Sequence, residues 1–171
     1  MINFQGLKIQ PEVSDNRFSM VNDGSTEIET SELLYSFVRR LKPSNVLETG
    51  CYKGVSSLYM AQALKDNGFG HLTTIEYEQL HIDESEKLWQ EAGVKDYVTA
   101  VRLESLKFQP DKQYQFMFLD TEMHLRLHEL VKFFPNLDDG GYVFVHDMSR
   151  NLCQGNVNPD HPDFPNWPVG L

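Results

Sequence analysis

The segment Glu48-Thr-Gly-Cys-Tyr-Lys-Gly54 follows the apolar pair Val46-Leu47 and runs directly into a helical pattern, so Gly50 and Gly54 fall at a strand-to-helix turn. A glycine there can adopt positive φ and, without a side chain, lets a ligand approach the main chain closely. The spacing is GxxxG. A dinucleotide pyrophosphate is ordinarily seated by GxGxxG at a helix N-terminus, so a nicotinamide-dependent reductase is disfavoured and a ligand without phosphates is expected. Cys51 lies inside this loop, where its small size suits it. Glu76 closes the run Leu72-Thr-Thr-Ile-Glu76, 22 positions after Gly54. That is close to the offset of about 20 residues at which doubly wound folds place an acid on ribose hydroxyls. A carboxylate can accept both hydroxyls at once, whereas the nearby Glu78 reads as a solvated strand-end acid.

Two further acids, Asp120 and Asp147, end the apolar runs 114–119 and 141–146, and a parallel sheet collects its ligands at that edge. His124 and His146 are the candidate bases, because imidazole titrates near neutral pH. A purely hydrogen-bonded histidine is an equally good reading of either. His128 follows His124 at i, i+4 without an HExxH pattern and reads as a surface or helix-end residue. Ser56 and Ser57 do not sit in a GxSxG elbow, so hydrolase chemistry has no support.

Positioning these residues requires alternating short strands and helices. Apolar runs place strands at 45–49, 71–76, 97–103, 114–119 and 141–146. Leu33, Leu34, Phe37, Val38 and Leu41 mark a helix over 31–41 that closes at Lys42-Pro43. Val55, Leu58, Ala61 and Leu64 mark another, residues 80–92 a third that stops at Gly93, and Leu127, Leu130, Val131 and Phe134 a fourth. Asn136 to Gly141 reads as a polar turn. The pattern predicts an α/β domain: a Rossmann-like, doubly wound parallel sheet of strand order 3-2-1-4-5 in three α/β/α layers.

One domain is expected over all 171 residues: an arm at 1–30, the core at 31–148 and a tail at 149–171 interrupted by Pro159, Pro162, Pro165 and Pro168. The formal charge of -10, without a basic patch, argues against nucleic acid and anionic membrane surfaces as partners. Cys51 and Cys153 have no metal or disulfide spacing, and no signal or membrane-spanning segment is present, so a cytoplasmic protein is expected.

Taken together, the segments Pro43 to Ser56, Leu72 to Glu76 and Ala92 to Thr99, continued through Phe118-Leu-Asp120 and Gly140 to Asp147, resemble the catechol O-methyltransferase type of class I S-adenosylmethionine-dependent methyltransferase. The likeness spans roughly residues 30–148. Asp120-Thr-Glu-Met-His also resembles a bacterial group of methyltransferase-like domains. The resemblance implies O-methylation of a small-molecule acceptor. S-adenosylmethionine would have its methionine part beside Glu48 and Gly50, with Ser56 supporting that site, its ribose on Glu76 and its adenine near Glu104 and Ser105. It also implies that Asp120 and Asp147 hold a magnesium ion that orients the acceptor hydroxyl. Departures are Leu103 for a glycine, Met123 for a lysine and Met148 for an asparagine ligand. The C-terminal antiparallel hairpin usual in the type is not evident. These departures frame the rival expectation, a non-catalytic S-adenosylmethionine-binding or interaction domain; homodimer formation stays open.

Overall fold

The computed structural model describes residues 2, 4–14 and 18–148; the proline-rich tail and Cys153 lie outside the described residues. A two-residue hairpin, β1 (Val13–Ser14) against β2 (Ser19–Met20), precedes α1 (Ile28–Leu41). The core then alternates β3 (Asn45–Thr49), α2 (Val55–Asn67), β4 (His71–Glu76), α3 (Gln79–Glu91), β5 (Val98–Arg102), β6 (Tyr114–Leu119), α4 (Arg126–Phe133) and β7 (Leu137–Val145). The five core strands are all parallel and ordered β5-β4-β3-β6-β7. In core numbering this is 3-2-1-4-5, the expected arrangement.

Alternation along the strands separates two apolar layers. Val46, Leu72, Val98, Phe116 and Phe118 face α1, α2 and α3 in one cluster, whereas Leu47, Ile75, Met117 and Leu119 face Phe133 and Leu130 of α4 in the other. Every residue of α2 from Val55 to Leu64 is buried. Its wide apolar surface is explained by what covers it: the sheet on one side, with α1 and α3 packed around it. Phe37 of α1 reaches the outer strand, meeting Phe144 edge-on at 4.7 Å.

Three boundaries differ from the sequence reading. Helix α1 begins at Ile28, with Glu27 at its cap and Lys42 closing it in the left-handed region. The polar stretch 136–141 is not a turn before the last strand: β7 already pairs at Leu137 with Tyr114, bulges through Gly140 (φ +78°) and rejoins the ladder at Tyr142 opposite Phe116. The arm also carries structure: Phe4 is buried edge-on against Tyr59 of α2 at 5.0 Å. No helix among the described residues is long and apolar enough to cross a membrane.

If the first residues are part of the core, Phe4→Ala lowers the unfolding free energy by about 3 kcal/mol in a denaturant titration, while Leu80→Ala on the exposed face of α3 changes it by less than about 0.5 kcal/mol. Equal effects would show the arm to be peripheral.

Candidate functional site

The C-terminal ends of β3, β4, β5, β6 and β7 open into a cleft of about 850 Å³, within the range of small-ligand sites. Its floor is Gly50, Cys51 and Tyr52; one side is Glu76, His81 and the segment 103–106, and the other is Asp120 to Met123 with Arg126, His146 and Asp147. The fourth wall, Met20 with Gly24 to Glu27, comes from the arm. Glu27, Glu76, Glu78, Glu104, Asp120, Glu122 and Asp147 line the cleft and outnumber its cations, Arg126 and the His146 ring, so its field favours a cationic ligand.

The loop after β3 is held from beneath. Glu48 is fully buried and accepts hydrogen bonds from Ser56 (2.5 Å) and Ser57 at the start of α2. Burial pushes its carboxyl up to about 7, against the lowering effect of these hydroxyls and Thr74. On the opposite face, Thr49 donates to the buried Glu129 of α4 at 2.9 Å. Burial likewise pushes the Glu129 carboxyl up, against Ser105, Thr121 and Thr49. Tyr52, at φ +46°, turns its N–H onto Glu76 Oε2 (3.0 Å), while the Glu78 N–H meets Glu76 Oε1 (2.9 Å). Each Glu76 oxygen therefore accepts one backbone bond, His81 Nδ1 stands 3.6 Å from Oε1, and the carboxylate lines the cleft.

The predicted cofactor residues separate into two groups. Gly50, Cys51, Glu76, Glu104, Ser105 and Asp120 line the cleft; Glu48, Gly54 and Ser56 do not. The glycines keep the positive φ expected of the turn and are also packed closely by protein. A Cβ on Gly50 (φ +77°) would lie 2.5 Å from the Asp120 carbonyl oxygen, and one on Gly54 (φ +80°) would lie 2.8 Å from Ser85 and the Trp89 ring nitrogen. Close protein packing thus bars a side chain at both positions, and Gly50 also lines the cleft. Burial raises the Cys51 thiol far above its usual range, so it stays protonated.

Asp120 and His146 come together, with partners that the sequence did not reveal. Arg126, nearly buried at the first position of α4, bonds Asp120 Oδ1 through Nη2 (2.9 Å) and sits 3.4 Å from Asp147 Oδ2 through Nη1. Its Nε donates to the Thr121 carbonyl and its Nη1 to the His146 carbonyl. His146 places Nδ1 at 2.9 Å from Asp120 Oδ1 and Nε2 at 2.8 Å from Glu27 Oε2, and Thr26 donates to Asp120 Oδ2. Burial alone would disfavour the charged ring, but the Asp120 and Glu27 hydrogen bonds outweigh it and raise His146 to about 10. Glu27 is lowered to about 2, chiefly by His146. A ring raised to about 10 holds its proton at neutral pH, with a carboxylate against each nitrogen. His124 is partly buried and is not among the residues lining the cleft. Glu27, His146 and Asp147 each offer a ligand atom within 4.8 Å of the others, but both ring nitrogens already face carboxylates.

Arg126 and Glu27 gave no local signal: a lone arginine on an amphipathic helix reads as solvated, and Glu27 lies 119 positions from its histidine.

Residues 47–148, more than half of the chain, match the family model described as a methyltransferase domain. The chain belongs to this family. No curated protein matches this chain. Among solved structures it is similar to one from Klebsiella pneumoniae (22% identity, TM-score 0.70, covering 84% of this chain and 65% of that one). The O-methyltransferase TomG from Streptomyces achromogenes, involved in tomaymycin synthesis and solved with S-adenosylmethionine, is 25% identical with TM-score 0.67, covering 83% and 65%. An O-methyltransferase from Bacillus cereus, solved with S-adenosylhomocysteine, is 18% identical with TM-score 0.66, covering 72% and 58%. The chain spans roughly three fifths of the length of these structures.

The ion pair at the cleft sets a pH dependence. His146 is raised above its unfolded value of 6.5, so its contribution is complete below pH 6.5 and is lost as pH rises through about 10. Glu27 is depressed below 4.5, so its contribution is present above pH 4.5 and lost as pH falls towards 2. Denaturant unfolding across pH should therefore show stability declining between 6.5 and 10 in the wild type, with a flatter alkaline limb in His146→Gln. Matching limbs would refute the pairing.

Proposed function

We propose that this methyltransferase domain binds S-adenosylmethionine in the cleft and transfers its methyl group to an oxygen of a small-molecule acceptor. The observation that carries the reading is Glu76, a cleft-lining carboxylate whose two oxygens are each oriented by a backbone N–H group. A ribose presents two adjacent hydroxyls to such a pair. Further support comes from the acidic lining, suited to a sulfonium cation, and from the cofactor-bound structures of TomG and the Bacillus cereus enzyme.

When bound, S-adenosylmethionine supplies a methyl carbon that the acceptor oxygen takes as the carbon–sulfur bond breaks, its electron pair remaining on sulfur. The protein's part is alignment and charge. Glu76 would hold the ribose, and Ser105 with Glu104 would border the adenine. Asp120, held by Thr26, Arg126 and His146, faces the reacting end. His146 keeps its proton and orients the carboxylates. Asp147, the most open of the three surrounding acids at 36% exposure, receives the acceptor's proton as the new bond forms.

Calorimetry should show binding of S-adenosylhomocysteine and none of a nicotinamide dinucleotide. Glu76→Ala should weaken that binding by about 1.5–3 kcal/mol, the scale of hydrogen bonds to a charged group, with Glu78→Ala changing it only slightly. Indistinguishable losses in the two variants would remove the ribose assignment, and tight dinucleotide binding alone would remove the function.

A further inference from the structure

We propose that Arg126 occupies the electrostatic place of a divalent cation at the acceptor end of the cleft, so that this methyltransferase domain works without a metal ion. The proposal rests on the methyltransferase reading for the meaning of the site, but not for its test. An ion shared by Asp120 and Asp147 needs an oxygen from each turned to a common open point. Here those two oxygens, Asp120 Oδ1 and Asp147 Oδ2, are turned to a single guanidinium. Asp120 Oδ1 also meets His146 Nδ1, and Oδ2 accepts from Thr26, so both of its oxygens are engaged.

The guanidinium is not a passing surface contact. It is nearly buried, and two of its bonds go to main-chain carbonyls, Thr121 beyond β6 and His146 beyond β7. Its position is therefore fixed by the ends of both strands, independently of the carboxylates it joins. An arginine carries its charge at every accessible pH and has no acceptor atom to offer a metal. An incoming divalent ion would meet a fixed like charge at the point where the two acids converge. The third ligand position agrees, since Met148 supplies no hard oxygen.

Arg126 is on this view a positioning residue: it neutralises and orients Asp120 and Asp147 as a magnesium ion would, without touching the acceptor. Manganese(II), followed by its paramagnetic resonance signal, is the probe, titrated into the full chain. The wild type should take up no stoichiometric ion at submillimolar concentration. Removing the guanidinium leaves two acids sharing an uncompensated gap, so Arg126→Ala should bind one ion, tightening manganese affinity by about tenfold or more, and adding Asp120→Asn should abolish the gain. Arg126→Lys, which keeps a cation there, should remain metal-free; a purely structural arginine would leave all the variants alike. Circular dichroism reports whether each variant is folded, and if Arg126→Ala is not, the wild-type titration decides. One ion bound by the wild type and lost in Asp120→Asn or Asp147→Asn overturns the proposal, as does a folded Arg126→Ala that gains none. Calorimetry with S-adenosylhomocysteine on the same wild-type sample tests the methyltransferase reading separately.

Discussion

The pivot of this fold is a carboxyl without access to water. Glu48 sits in the central strand, and a buried acid must be fully hydrogen-bonded or lose a large solvation energy. Ser56 and Ser57 meet that demand from the first turn of α2, so the requirement of one strand residue fixes where the next helix starts. The loop between them has little freedom left: its N–H at Tyr52 points to β4, and its glycine at position 50 lies directly under the backbone of Asp120. One residue along, Thr49 repeats the arrangement on the other face with Glu129. Helices from both layers are thus referenced to the same two positions of β3, directly beneath the cleft.

The sheet was legible because its three inner strands, β3, β4 and β6, are short, largely buried apolar runs, and because parallel strands need helical crossovers whose period is equally plain. What escaped were features decided by distant contacts. The bulge in β7 looks like an ordinary turn, since Asp138, Asp139 and Gly140 have turn chemistry; only pairing with β6 shows that the strand continues on either side. Phe4 gives no periodicity by itself, and its burial depends on Tyr59. The glycines teach a different lesson. A sequence cannot show what stands where a glycine lacks its side chain; protein does at both positions, and Gly50 borders the cleft as well.

Electrostatics explains why so acidic a cleft can exist. Asp120, Asp147 and Glu27 converge from β6, β7 and the cap of α1, and their mutual repulsion is offset by the Arg126 guanidinium and the His146 imidazolium. The remaining acids lie farther along the rim. The histidine adjoining Asp147, which the sequence presents as a base, is better understood as part of this scaffold of charge.

The wall built from the arm gives the cleft a particular place in the order of folding. Thr26 meets Asp120 across 94 positions and Glu27 meets His146 across 119, so these contacts close the longest loops at the site. Loop-closure entropy makes such contacts late ones. A chain whose sheet has assembled but whose arm has not docked leaves Asp120 and His146 each short of one partner, with the cleft open along one side. A ligand touching both the strand ends and residues 24–27 binds only the completed form, and by mass action draws the chain towards it. Ligand concentration then governs how much of the population has its first residues in place.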